Sequence, residues 1–253
     1  MRSFLPAALL LALAPACRKA PPPPAVTDEA AAAGDEEVKP VYAAGEAVPA
    51  AQQLCGALYA VPADRRAACC HGKPAPSIGL SQCVLTLSAA LRSGAVSLEP
   101  KSVESCKAAQ AKVFDGCDWV GPYAPPPAAE CQNLLHGARK AGELCRSSLE
   151  CLEGQTCLGV GPTQAGRCGA PKQDGQACRL AVDALAGYLL QDGDGHHPEC
   201  QGFCGHYRCA PRSAAGGECS MAGQCPEGQQ CDGKKCIAGV AAAAPFKGPR
   251  CDL

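Results

Sequence analysis

The residues able to do chemistry here are overwhelmingly cysteines, 21 of them in 253 residues. A thiol can pair with another thiol, hold a soft metal, act as a nucleophile or accept an acyl group. Spacing and compartment decide which of these applies. Cys17 stands alone near the N-terminus. Cys55, Cys69, Cys70, Cys83, Cys106, Cys117 and Cys131 are widely spaced, whereas Cys145, Cys151, Cys157, Cys168, Cys178, Cys200, Cys204, Cys209, Cys219, Cys225, Cys231, Cys236 and Cys251 crowd the second half. Setting Cys17 aside leaves an even set of 20 that can be fully oxidised, so all of these are expected in disulfides. Two other constellations compete for attention. His196, His197 and His206 lie with Cys200, Cys204 and Cys209 within 14 residues, and these are zinc-ligand types. The chain holds no Cys-x2-Cys knuckle, and those cysteines fill slots of a repeat set out below. The histidines are therefore expected at the surface, with no metal bound. Gln191-Asp192-Gly193-Asp194-Gly195 opens like a calcium loop, but His196-His197-Pro198 do not continue its alternating ligands, so an exposed acidic turn is expected. Neither a nucleophile elbow nor a phosphate-binding loop accompanies them. The reading is of a non-enzyme without a cofactor.

Twenty paired cysteines require an oxidising compartment, and the N-terminus reads as the route to one. Residues 1–16 have the form of an export signal, with Arg2 as the basic end and Phe4–Leu13 as the apolar stretch. That stretch is far short of the ~20 residues a membrane-spanning helix needs. Ala14-Pro15-Ala16 places small residues ahead of Cys17. A cysteine in that position resembles the lipobox of bacterial lipoproteins. The resemblance implies removal of the signal, acylation of Cys17 and a membrane anchor, which is firm once more than one chain is attached. Arg18 follows, where Asp would resemble an inner-membrane retention signal, so an outer-membrane placement is expected. Simple secretion is the alternative. Residues 17–47 then form a tether: Pro21-Pro22-Pro23-Pro24, an alanine run and the acids Asp28, Glu29, Asp35, Glu36 and Glu37 give little to bury.

These sites need elements to hold them, and composition says the elements are small. Leu, Ile, Val and Phe number 42, near 17% of the chain, below the ~20% at which a chain buries enough apolar surface unaided. With a net charge of −1, self-repulsion does not explain the shortage. Disulfides do. Residues 48–137 read as four or five short helices bundled by three disulfides. Val48, Ala51, Leu54, Cys55 and Leu58 share a face, Pro62 suits a first helical turn, and Gly72 ends the helix bearing Cys69-Cys70. Ser81 is expected to cap a helix with Cys83, Leu87 and Leu91 on one stripe, ending at Gly94. Pro100 opens another, with Val103 and Cys106 inward, and a last one is expected from Pro127 to His136. Cys69 and Cys70 should reach different partners, and six cysteines allow fifteen pairings. Cys131 and Cys251 are each left over from a local set, so a bond between them is one expectation.

From Gly142 onward the chain repeats. The first unit is Gly142-x2-Cys145-x5-Cys151-x5-Cys157-x10-Cys168, in residues 142–170. The third, in 216–238, is Gly217-x-Cys219-x5-Cys225-x5-Cys231-x4-Cys236. Between them, 175–211 carries Gly175-x2-Cys178-x21-Cys200-x3-Cys204-x4-Cys209, the same unit with an insertion after its first cysteine. Glu150-Cys151 and Gln224-Cys225 open matching phrases, each with a Glu-Gly-Gln turn. Units of this size imply irregular β-hairpins held by two disulfides apiece, and 239–253 follow as a tail. In the insertion, Val182, Leu185, Leu189 and Leu190 have helical spacing, for packing on neighbouring repeats or for presentation to a partner.

The unit resembles the Dickkopf N-terminal cysteine-rich domain, best at 142–170 and 216–238. The whole layout, with Cys55-x2-Leu58 and Cys69-Cys70 ahead of the repeats, is similar to predicted lipoproteins of myxobacteria and related high-GC bacteria. The resemblance implies a small disulfide-rich fold, a short helical module followed by cysteine repeats, and no particular activity. The functional expectation is a non-catalytic envelope lipoprotein whose repeats bind a protein or glycan. The alternatives are an inhibitor of hydrolases presenting the insertion 179–199, or a metal-binding envelope protein. Trp119 and Tyr123 flank a Pro-rich turn, where packing against the helices is expected. The basic residues are scattered, so no nucleic-acid partner is expected.

Overall fold

Helix formation starts at Val48, whose N–H donates to the Ser88 hydroxyl at 2.9 Å and so satisfies a group the helix leaves unpaired. α1 (Pro49–Cys55) runs through a wide π-helical turn (Gly56–Ala60) into α2 (Val61–Cys69), one continuous 21-residue helix. Pro62 has no N–H to give and its ring crowds the preceding turn, so the wide turn lets the helix pass it rather than begin there. The computed structural model describes residues 42–73, 77–121, 125–161, 163–178, 183–190, 199–226, 229–238 and 251, all in one unit spanning Val38–Leu253. The signal, Cys17, the tether up to residue 41, Tyr123, His196, His197 and the acidic turn at 191–195 lie outside the described residues.

α3 (Ile78–Arg92) is capped by the Ser77 hydroxyl, which accepts the Leu80 N–H at 3.2 Å. Ser81, the expected cap, sits inside the first turn and donates back to the Ile78 carbonyl. β1 (Val96–Leu98) and α4 (Pro100–Val113) follow, with Pro100 in the first turn as its fixed φ favours. The helix expected over Pro127–His136 does not form. A single 3-10 turn (Ala129–Cys131) is followed by β2 (Leu135–Gly137), antiparallel to β1 with Val96 opposite Gly137. Buried Gln110 of α4 takes the Ala128 N–H at 2.8 Å, and pairing with β1 draws Leu135–Gly137 into a strand. Gly137 is required there, because a Cβ would overlap the Cys151 carbonyl.

Leu54, Leu58, Leu87 and Val103 are at most 2% exposed and make the principal core with Ala51, Ala57 and Ala90. Tyr42 is buried in it too, so the packed body begins before residue 48. Cys55–Cys83, Cys69–Cys117 and Cys106–Cys131 tie the helices and their loops together. The leftover cysteine of this region is Cys70, bonded to Cys251 across 181 residues. Cys131 is not the partner of Cys251, because the Gln110-held turn lays it against Cys106. Trp119 packs edge-on to Phe114 with centroids 4.7 Å apart, and its indole N–H donates to the Phe114 and Gly116 carbonyls.

The second half is four small antiparallel pairings. β3 (Leu144–Cys145), β4 (Thr156–Leu158) and β5 (Gly166–Gly169) form one sheet in the order β3-β5-β4. β6 (Phe203–Gly205) pairs with β7 (Arg208–Ala210), and β8 (Gln229–Cys231) with β9 (Cys236–Ala238). In every unit the first cysteine bonds the third and the second bonds the fourth: Cys145–Cys157 and Cys151–Cys168, Cys178–Cys204 and Cys200–Cys209, Cys219–Cys231 and Cys225–Cys236. The middle unit keeps this pairing despite its insertion. Each unit opens on a left-handed glycine, at Gly142, Gly175 and Gly216, with φ of +84°, +81° and +73°. Each donates its N–H to the carbonyl of the fourth cysteine, at 2.8, 2.7 and 3.1 Å. The third unit's turn glycine is thus Gly216, not Gly217, and all three units read Gly-x2-Cys. Within the insertion, α5 (Ala184–Leu190) buries Leu185 and Leu189 in the helical core rather than on the repeats. No described helix is long and apolar enough to cross a membrane.

Candidate binding surface of the repeats

Two carboxylates of the repeats are buried, whereas Glu143, Glu153, Asp174, Glu218 and Asp232 are exposed. The residue before each second cysteine is Glu150, Glu199 or Gln224, and its side chain serves the backbone. Glu150, 1% exposed, accepts the Arg146 N–H at 2.8 Å. Gln224 repeats this, its Oε1 accepting the Ser220 N–H at 2.5 Å and the Met221 N–H at 3.1 Å. Glu199 occupies the same place in the second repeat. It turns to the first repeat and accepts the Gly159 N–H at 2.8 Å, while Lys172 Nζ closes an ion pair with it at 2.6 Å. That is the one ion pair among the described residues. Asp183 joins the insertion to the first repeat, accepting the Ser148 N–H at 2.7 Å and the Ala186 N–H of α5 at 3.1 Å. Glu143 accepts the Lys140 N–H, and Asp232 the N–H groups of Lys234 and Lys235.

Burial raises the Glu150 carboxyl above its ordinary range, opposed by the Arg146 N–H and by the charges of Arg146 and Arg139. Nearby Tyr42 is held protonated, first by burial and then by the charges of Glu150 and Asp183. Among the described residues, the Tyr42 hydroxyl and Glu150 Oε1 have no hydrogen-bond partner. Asp232 is fully exposed, and the Lys235 and Lys234 N–H groups hold its carboxyl below the usual range.

One basic position of each repeat faces water. The residue before each fourth cysteine is Arg167, Arg208 or Lys235, all exposed. Arg167 Nη1 donates to the Gly142 carbonyl at 2.7 Å, and Arg208 Nη1 to the Gly175 carbonyl at 2.8 Å. Each guanidinium is therefore aimed from its own turn, with N–H groups to spare. Lys235 lines an open groove of about 540 Å³ on the third repeat with Glu218, Ser220, Gln224 and Lys234. The second hairpin ends in His206-Tyr207, both left-handed at φ +49° and +61°. Tyr207 is 70% exposed.

Cys200 and Cys209 are bonded to each other and Cys204 to Cys178, and His206 is an exposed turn residue. Three-sulfur groups such as Cys178, Cys200 and Cys209 do converge in each repeat, but bonded sulfurs have no thiolate to offer. In the segment expected to face a hydrolase, 179–199, Leu185 and Leu189 are buried in the helical core, and 179–182 and 191–198 lie outside the described residues. The shared position of Arg167, Arg208 and Lys235 was readable from the cysteine alignment alone. Tyr207 was not, since His-Tyr carries no turn signal.

Comparison of this chain with known protein families, with curated proteins and with solved structures finds no match.

Proposed function

We propose that this chain is a non-catalytic lipoprotein of the cell envelope, anchored through Cys17, whose disulfide-stapled repeats bind a protein or glycan at the cell surface. The observation that carries the anchor is the pairing itself. Ten disulfides use every cysteine from Cys55 to Cys251, and Cys17 is left over immediately after a sequence with the form of an export signal. Its likeness to the bacterial lipobox, and that of the repeats to the Dickkopf N-terminal cysteine-rich domain, supports the same reading. The binding role is supported by rigid hairpins whose exposed side chains differ from repeat to repeat while the sulfur frame stays constant.

The test is mass spectrometry of the protein extracted from the membrane fraction of its own cells. The N-terminal peptide should begin at Cys17 and carry thioether-linked and amide-linked acyl chains. Cys17→Ser should move the protein to the soluble fraction. An N-terminal peptide with an unmodified Cys17 would contradict the anchor.

A further inference from the structure

We propose that the adjacent bonds Cys69–Cys117 and Cys70–Cys251 are a site of reversible exchange with a dithiol, and that opening them frees α2 while the rest of the sulfur frame stays closed. This goes beyond the anchor and the binding role and depends on neither. The two bonds stand apart in burial. Cys69, Cys70 and Cys117 are half-buried and Cys251 is exposed, whereas each of the other eight disulfides has at least one buried cysteine. They also stand apart in reach, with sequence separations of 48 and 181 where the others have 9 to 28. A disulfide that solvent touches can be attacked in the folded protein, and exposed disulfides are the labile ones. Those of the repeats are the core of their units, so a reductant meets them only after the unit opens.

The long loop does not oppose this. A bond contributes more as the chain it restrains grows, but all six repeat bonds lie inside the Cys70–Cys251 loop and already restrain it.

What the two bonds hold is α2. It has no buried residue, in contrast to α1 with Ala51, Leu54 and Cys55 and α3 with Leu87 and Ala90. At its C-terminal end α2 is tied by the two disulfides, by Arg66 Nη2 donating to the Gly121 carbonyl at 3.1 Å, and by the Arg66 guanidinium 5.9 Å from the centre of the Trp119 ring. One hydrogen bond and one cation–ring contact hold weakly once the sulfur links are gone. Ala57 and Leu58 of the wide turn stay in the core. The break therefore falls beyond that turn, and α1, α3 and α4 keep their packing.

The exchange balances with the dithiol alone. Its thiolate attacks Cys251 Sγ, the Cys70–Cys251 bond breaks, and the electron pair leaves on Cys70 Sγ, which takes a proton. The second thiolate of the reagent attacks the mixed disulfide and expels the Cys251 thiolate, which is protonated in turn. The reagent departs as a disulfide, and two electrons and two protons have passed to the protein. Cys69–Cys117 opens by the same two steps.

The test treats the full oxidised chain, with Cys17→Ser so that no unpaired thiol competes, with limiting dithiothreitol under native conditions, followed by alkylation and peptide mapping. Cys69, Cys70, Cys117 and Cys251 should be alkylated about tenfold or more faster than any repeat cysteine. At that stage amide exchange should rise in α2 and stay unchanged in α1 and α3. Oxidised glutathione should then restore both bonds. In Cys70→Ser with Cys251→Ser, Cys69–Cys117 should still open ahead of the repeats, which separates its own accessibility from the loss of its neighbour. Repeat cysteines labelled as fast as these four, or α1 and α3 exposed together with α2, would overturn the site. Slow α2 exchange after both bonds have opened overturns its release, and re-formed bonds with other partners overturn reversibility.

Discussion

The helical region and the repeats are both stapled by sulfur, yet sulfur does different work in each. In the helices, Cys55 and Cys83 sit among Leu54, Leu58, Leu87 and Val103, and the disulfide is added to an apolar core that already exists. In the first repeat the buried cluster is Cys145, Cys151, Cys157 and Cys168 with Val160 alone beside them. The other two repeats have clusters of cysteine only. There the disulfides are both the restraint on the unfolded chain and the core itself. Small disulfide-dense units that lack apolar burial solve their stability problem this way. The two regions are also joined through α5, which belongs to the second repeat by sequence and completes the helical core.

Reduction should break the comparison open most widely. With a strong dithiol, amide hydrogen exchange across 142–238 should lose all protection, whereas α1 and α3 should keep part of theirs. Equal loss in both regions would show that the apolar core cannot stand without sulfur. Single bonds come next. Cys151→Ala with Cys168→Ala removes roughly 2–4 kcal/mol of unfolded-state restraint and also two of five core members, so β4 and β5 should exchange freely. The matched pair Cys55→Ala with Cys83→Ala removes a similar restraint, but α1 and α3 should remain protected.

Leu185→Ala sharpens the link between regions. It should lower stability by about 2–5 kcal/mol and do so in the helices, although the residue belongs to the second repeat by sequence. Thermal melting followed by helical circular dichroism reads this. The smallest effect concerns Glu150 at the seam. Its carboxyl binds a proton more tightly folded than unfolded, so its contribution is fullest below about 4.5, the unfolded value, and is lost as pH rises through the raised folded value. Glu150→Gln should flatten the dependence of denaturant midpoint on pH above that point. An unchanged slope would place the titration elsewhere.

What the amino-acid order reveals follows the same division. The repeats were legible because cysteine and glycine positions are the fold there: the Gly-x2-Cys turns and four-cysteine sets survive even the 21-residue gap between Cys178 and Cys200. The helical region was legible where apolar spacing governs, as for Leu54, Leu58 and Leu87. It failed where tertiary contacts override local signals. Residues 127–136 read as a helix, yet the open edge of β1 and the Gln110 side chain claim them. The bond from Cys70 to Cys251 joins positions no local pattern relates. The placement of Leu185 in the helical core is equally non-local. The basic position before each fourth cysteine, Arg167, Arg208 and Lys235, was legible in the cysteine spacing itself.

The central claim is that every repeat carries the same interlaced first-to-third and second-to-fourth pairing, with Cys70–Cys251 closing the chain. Non-reducing peptide mapping by mass spectrometry tests it most directly. Digestion between the cysteines should yield Cys145–Cys157, Cys151–Cys168, Cys178–Cys204, Cys200–Cys209, Cys219–Cys231 and Cys225–Cys236 peptides, and a linked Cys70–Cys251 peptide. Neighbour-paired peptides such as Cys145–Cys151 with Cys157–Cys168, or free thiols in any repeat, would contradict it.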